Sequence, residues 1–94
     1  MPANHELADT LAAEGLRIIP AILARIDRGE GTEDQIATWD LIFVLVRMQD
    51  RGHYAVVQDE KLMSRLERAV ATMTEPEVKK AAEETLGWLK KPKP

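Results

Sequence analysis

Few side chains of this 94-residue sequence have the chemistry of a catalytic or metal-binding site. The sequence contains no cysteine, which excludes disulfides, thiolate metal sites and a cysteine nucleophile. Its two histidines lie far apart, and His5-Glu6 does not begin a zinc-binding HExxH motif because Asp9 occupies the fifth position. The acidic residues do not follow the spacing of a calcium loop or a di-iron bundle. We therefore expect no metal and no cofactor.

The pair His53-Tyr54 is the strongest candidate for acid–base chemistry, because it follows a predicted helix end at Gly52. A histidine presented at such a junction can transfer protons. A structural role explains the pair as well, since residues after a helix-ending glycine bind the last carbonyls and a tyrosine ring packs at the core edge. If the pair is functional, we expect one pocket that contains His53, Tyr54, Arg47, Arg51 and Asp50.

The charge of the chain argues against nucleic acid as a partner. The net charge is −3, and the excess of acidic residues falls in the first half of the sequence. Proteins that bind phosphate backbones carry a broad basic surface, which this composition lacks.

The hydropathy pattern argues against a membrane partner. The longest unbroken apolar run, Leu41 to Val46, has six residues, whereas about 20 are needed to cross a bilayer. The first residues contain no basic region followed by an apolar stretch, so no secretory signal is recognised. Together with the absence of cysteine, these observations predict a cytoplasmic and bacterial protein.

Composition and periodicity predict an all-α fold, a small bundle of about four helices formed by residues 1–94 as one domain, with 90–94 as a frayed polar tail. The first helical stripe begins after Asn4 and continues to Ile26, and Gly29 and Gly31 end it. Pro20 interrupts this stripe, so the first helix is either kinked or split there, with Pro20 starting a new helix. The stripe continues in phase on both sides, which favours a kink.

The second helix, about residues 33–51, is predicted to be central because apolar residues occupy nearly all of its sides. The segment Thr32-Glu33-Asp34-Gln35 has the pattern of a capping box at its start. Residues 53–58 are compatible with a helical turn, an extended connector or the start of the next helix.

The last two helices have clear start signals. Asp59 is the predicted N-cap of the third helix, and Thr74-Glu75-Pro76-Glu77 has the pattern of a second capping box. An apolar stripe of Val78, Ala82, Leu86 and Leu89 then predicts the buried face of the last helix.

Apolar residues exceed what so small a bundle is expected to cover, above all in the first two helical segments. Apolar patches left on a soluble chain are typical of association surfaces. We therefore predict a protein interface formed by Ile18, Ile22, Ile26, Trp39, Ile42, Phe43 and Val46.

Two resemblances point in the same direction. The segment Thr74-Glu75-Pro76-Glu77-Val78, with the Ala-rich helix and Leu86-Gly87 after it, is similar to a single HEAT-type helical repeat, which would imply a protein-binding scaffold. Residues 41–89 also resemble a family of small uncharacterised bacterial helical proteins that are often encoded beside formate dehydrogenases. Neither resemblance supplies catalytic residues, and both imply interaction with proteins.

The sequence therefore predicts a non-catalytic protein-interaction module, either a homo-oligomer or a small accessory subunit that docks on a larger protein. The alternative is a small all-helical enzyme or ligand-binding bundle that uses His53, Tyr54 and the nearby arginines.

Overall fold

Regular structure is helical throughout the part of the chain that the computed structural model describes, residues 10–27 and 31–91. Four complete α-helices occur in these ranges: α1 (Ile19–Ile26), α2 (Thr32–Asp50), α3 (Glu60–Ala71) and α4 (Pro76–Lys90). Short 3-10 segments, Gly15–Ile18 and Val56–Gln58, precede α1 and α3, and residues 10–12 are also helical. The predicted all-α bundle is confirmed.

The first helical stripe is split before Pro20. Gly15 has a φ of 59°, a left-handed conformation that L side chains rarely adopt, and it turns the chain before the 3-10 segment. Pro20 then lies in the first turn of α1, where its missing N–H removes no hydrogen bond. The kink that periodicity favoured does not form, because Gly15 has already ended the preceding turn. The predicted starting cap, Asn4, and Gly29 lie outside the described residues.

Helix α2 is central, as predicted. It packs against α1, α4 and the 3-10 segment Val56–Gln58. Ile42, Leu45 and Met48 on this helix are fully buried. The neighbours of α2 thus cover the apolar residues that are distributed around it.

A Schellman motif ends α2. Gly52 has a φ of 75°, and its N–H donates to the carbonyl of Gln49 at 3.1 Å, while the N–H of His53 donates to the carbonyl of Met48 at 2.9 Å. The predicted role of Gly52 is confirmed. The backbone amide of His53 completes the helix end.

Neither predicted capping box forms. Gly31 is the N-cap of α2, and the hydroxyl of Thr32 donates instead to the Glu75 carboxylate at 2.9 Å. The buried Gln35 crosses to the start of α4, where its Oε1 accepts from the N–H groups of Thr74 and Glu75 at 3.1 and 3.0 Å. Its Nε2 donates to the Thr74 hydroxyl at 2.9 Å. The side chain that was expected to cap its own helix therefore caps another one.

A second glutamine of α2 binds the opposite end of α4. The Nε2 of Gln49 donates to the carbonyl of Leu89 at 3.0 Å, and its Oε1 accepts from the N–H of Val57 at 2.8 Å. Because Gln35 contacts the start of α4 and Gln49 contacts its last turn, α2 and α4 run in the same direction.

The segment between α2 and α3 is an extended link followed by a 3-10 turn, in which Val56 is fully buried. Asp59 is the N-cap of α3 and accepts from the N–H of Leu62 at 3.0 Å, as predicted. At the other end of the chain, Lys90 is the last residue of α4 and pairs with Glu67 at 3.0 Å, so the helix extends into the predicted tail. Residues 92–94 lie outside the described part.

None of the described helices is both long enough and apolar enough to cross a bilayer.

Candidate functional site

The predicted apolar interface is mostly part of the core. Ile22, Ile26, Ile42 and Val46 are buried within the chain. The prediction of these four as interface residues is corrected, because α1 packs against α2 and α3, and α2 also packs against α4 and the 3-10 segment Val56–Gln58. Ile18, Trp39 and Phe43 remain half-buried at the edge of the core.

The half-buried aromatic residues of α2 have partners within the chain. The indole N–H of Trp39 donates to the hydroxyl of Thr85 at 3.1 Å, and that hydroxyl donates to the carbonyl of Ala81 at 2.8 Å. The Arg47 guanidinium lies 5.3 Å from the centre of the Phe43 ring, a cation–π distance. The hydrogen bond of Trp39 attaches α2 to α4, whereas the contact between Arg47 and Phe43 lies within α2.

The residues of the predicted pocket lie at the end of α2 and just after it, and they differ in exposure. The side chains of Asp50, Arg51 and His53 are exposed, whereas those of Arg47 and Tyr54 are half-buried. The Tyr54 hydroxyl donates to Asp59 Oδ2 at 2.6 Å. Arg47 is directed over Phe43. Two members of the predicted set therefore have structural contacts, and their convergence on a ligand stays a prediction.

The hydrogen bond between Tyr54 and Asp59 changes the pKa of both groups. It raises the pKa of the Tyr54 hydroxyl, because Asp59 stabilises the protonated phenol and burial disfavours the phenolate. It lowers the pKa of Asp59, whose carboxylate also accepts from the N–H of Leu62. The hydrogen bond therefore stabilises the N-cap of α3. The raised pKa also makes Tyr54 a poorer proton donor near neutral pH.

A concave site of about 310 Å³ lies between α1, α2 and α3, away from the predicted pocket. Arg65 and Asp27 form a bidentate ion pair at its edge, with Arg65 Nε 3.1 Å from Asp27 Oδ1. This pairing neutralises one of the two arginines that line the site. The lining residues are Ile26, Asp27, Gln35, Thr38, Arg65, Arg68, Ala69, Thr72 and Met73. Among residues 10–27 and 31–91, no three His, Asp or Glu side chains form a group suited to a metal ion.

The outward side of α4 carries the most prominent aromatic surface of the described residues. Trp88 lies in the last turn of α4 and is 54% exposed. Exposed charged residues share this side with it. We call this surface the outer face of α4, and it consists of Glu77, Lys80, Glu84, Trp88 and Lys91.

Sequence reasoning missed Trp88, although a signal was present. The apolar stripe of α4 contains Leu86 and Leu89, and Trp88 does not belong to it. A large aromatic residue outside the apolar stripe of an amphipathic helix is expected to face solvent or a partner.

A groove of about 320 Å³ between α3 and α4 borders the outer face. Val70, Ala71 and Leu86 supply apolar lining, and the ion pair of Glu67 with Lys90 lies along it. Gly87 also lines this groove, and a Cβ placed on Gly87 would meet no atom within 4 Å apart from its two chain neighbours and the backbone of its own helix. The helix backbone is therefore open to approach beside Trp88.

Comparison of the chain with models of protein families, with curated proteins and with solved structures finds no match. The two resemblances noted from the sequence therefore stay predictions.

Proposed function

We propose that this chain is a protein-interaction module that associates with a second copy of itself through the outer face of α4. The observation that carries this proposal is the 54% exposure of Trp88. Covering an aromatic side chain of this size removes on the order of 100 Å² from water, which is worth about 2 kcal/mol. Tryptophan is also among the residues that most often dominate the affinity of protein interfaces.

The charges around Trp88 favour a second copy as the partner. Glu84 lies one turn before Trp88, and Lys91 lies about one turn after it. Both are exposed. Opposite charges on either side of Trp88 along the helix complement each other when a second copy is turned end to end, as it is in a two-fold interface. A surface adapted to a different protein has no need of this symmetry.

The absence of cysteine and the resemblance to bacterial helical proteins support a location in the bacterial cytoplasm. A chain without disulfides does not depend on an oxidising compartment for its stability.

Light scattering after size exclusion, over a dilution series from high to low micromolar, tests the proposal. We expect the mass of the full-length chain to fall from that of a dimer to that of a monomer. Trp88→Ala is expected to be monomeric throughout. Leu16→Ala is the matched control, because Leu16 is 64% exposed on the 3-10 segment before α1, and this variant should dimerise like the parent.

Two outcomes would contradict self-association. One is a parent chain that is monomeric at every concentration, in which case the accessory-subunit function takes precedence. The other is a Trp88→Ala variant that dimerises as strongly as the parent. Circular dichroism of each variant establishes that the helices are intact.

The alternative function, a small helical enzyme or ligand-binding bundle that uses His53 and its neighbours, stays a prediction with its own test. Under this alternative, His53→Ala and Arg47→Ala must reduce binding or turnover in a broad ligand screen. Unchanged behaviour of both variants would remove it.

A further inference from the structure

We propose that the two copies pair through antiparallel α4 helices, about a two-fold axis that passes between Gly87 and Trp88. This inference rests on the proposed self-association and specifies its geometry. It follows from the open backbone at Gly87, from the angular positions of three residues of α4 and of its C-cap residue Lys91, and from the register of two opposite charges.

Gly87 is the first observation. Glycine is less favourable than alanine within a helix, because it loses more backbone conformational freedom on folding. Gly87 has no positive φ that would require glycine. No atom of the described residues lies where its Cβ would be. The described contacts within one chain therefore give no reason for a glycine at this position, whereas the close approach of a second helix would.

The angular positions on α4 are the second observation. Successive residues of an α-helix are about 100° apart. Viewed down the helix, Trp88 and Gly87 therefore border a sector about 100° wide. Glu84 and Lys91 fall inside this sector, about 40° and 60° from Trp88. A helix that packs on the middle of the sector has Trp88 along one edge, Gly87 along the other and both charges between them.

The register of the charges is the third observation. Glu84 lies three residues before Gly87, and Lys91 lies three residues after Trp88. A two-fold axis between Gly87 and Trp88, perpendicular to both helices, therefore brings Glu84 of each copy opposite Lys91 of the other. The same axis places the two Trp88 rings side by side and the two Gly87 residues face to face. Aromatic stacking, close backbone approach and two ion pairs then arise from one arrangement.

This arrangement uses one helix from each copy, so the interface lies at the small end of specific protein interfaces. We expect a dimer that dissociates on dilution into the micromolar range.

Charge reversal tests the antiparallel register. Glu84→Lys and Lys91→Glu each place like charges opposite one another at two positions of the interface, and each should raise the dimer dissociation constant about tenfold in sedimentation equilibrium. The double variant Glu84→Lys/Lys91→Glu restores opposite charges and should return to within about threefold of the parent. Lys61→Glu, an exposed charge reversal in the first turn of α3, is the control and should leave the constant unchanged.

Substitution of Gly87 tests the close approach separately. Gly87→Ala should raise the thermal midpoint of the monomer by several degrees, because alanine is the better helix former. The same variant should weaken the dimer at least tenfold, because two methyl groups would separate the helix backbones. A variant that is more stable and dimerises as strongly as the parent would overturn the close approach at Gly87.

The outcomes distinguish this geometry from the self-association itself. If the parent dimerises and Trp88→Ala does not, but the double charge reversal fails to recover, the outer face of α4 is the interface and the antiparallel register is wrong. If the parent is monomeric at every concentration, the register and the proposed function both fail.

Discussion

Helices α2 and α4 differ in how far their apolar side chains are buried. Helix α2 has apolar side chains on nearly all sides, yet the structure buries most of them fully and the others in part, and Ile42 is 0% exposed. Helix α4 has a narrow apolar stripe, yet it leaves Trp88 more than half exposed. The number of apolar residues in a helix therefore does not predict where a protein presents an apolar surface. Its position among its neighbours decides this.

The same two helices are joined at both ends by glutamines of α2. Gln35 binds the backbone at the start of α4, and Gln49 binds a carbonyl in its last turn. Trp39 adds a hydrogen bond to Thr85 between them. These bonds hold α4 in place along its inner side, so its outer face is presented by a fixed helix.

The largest expected effect comes from comparing two variants, one with an aspartate in α2 and one with an aspartate in α4. Ile42→Asp should abolish the cooperative thermal transition, because burying a carboxylate costs several kcal/mol, comparable to the whole stability of a small domain. Trp88→Asp should abolish dimerisation and cost only about 1–2 kcal/mol of unfolding free energy, because no more than half of this side chain is covered within the chain. Circular dichroism melts and light scattering measure the two effects. An Ile42→Asp variant that is folded but monomeric would instead indicate that α2 forms part of the interface.

Removing one of the glutamine side chains that join α2 to α4 should have an intermediate effect. Gln35→Ala leaves the N–H groups of Thr74 and Glu75 without their side-chain acceptor in a partly buried site, and it should cost about 1–3 kcal/mol in urea unfolding. Thr32→Ala removes one exposed hydrogen bond to Glu75 and should cost only a few tenths of a kcal/mol.

This pair of variants also separates the observed network from the capping box that the sequence suggested. A capping box at the start of α2 would make the hydroxyl of Thr32 the more costly loss. A larger destabilisation by Thr32→Ala than by Gln35→Ala would therefore contradict the arrangement seen here.

A further expected effect depends on pH, and only its pH-dependent part is small. The folded-state pKa of Asp59 is lowered from its ordinary value of 3.8, so its stabilisation is present above that value and is lost as the pH falls through the lower folded pKa. Tyr54→Phe removes the hydrogen bond that contributes most to this shift. The variant should be about 1 kcal/mol less stable at pH 7, with a smaller further loss on acidification below about pH 4.

The alkaline side has the opposite sign. The pKa of Tyr54 is raised from its ordinary value of 10.0, so its contribution is present below that pH and is lost as the pH rises through the folded pKa. Tyr54→Phe removes this alkaline loss. The check is urea unfolding of the parent, Tyr54→Phe and Asp59→Asn across the pH range. Equal acid dependence of the parent and Tyr54→Phe would show that the hydrogen bond does not set the pKa of Asp59.

Sequence reasoning succeeded where the signal was local. The cap at Asp59 and the helix-ending Gly52 depend on backbone groups within four residues, so residue type and spacing were sufficient to predict them. Pro20 was correctly recognised as incompatible with an uninterrupted helix interior. The position of the break was harder to predict, because it lies at Gly15, in a left-handed turn that packs against a distant part of the chain. A Cβ placed on Gly15 would lie 3.4 Å from the carbonyl oxygen of His53.

Sequence reasoning failed where a side chain had a choice of partners. Gln35 and Thr32 are spaced as a capping box, but the start of α4 offers two free N–H groups and the Glu75 carboxylate to them. Four residues of the predicted interface turned out to be buried for a related reason. Ile22, Ile26, Ile42 and Val46 are apolar enough for an interface, and nothing in their spacing shows that neighbouring helices cover them.

The sequence by itself determined the helical class, the central place of α2 and the starts and ends that local caps define, because these follow from propensity, periodicity and hydrogen bonds between near neighbours. Only the tertiary structure decided which apolar residues are buried, which glutamine caps which helix, and that Trp88 and Gly87 are left open on α4. Those outcomes depend on contacts between residues about 40 positions apart in the chain, and the pattern of a single helix carries no information about them.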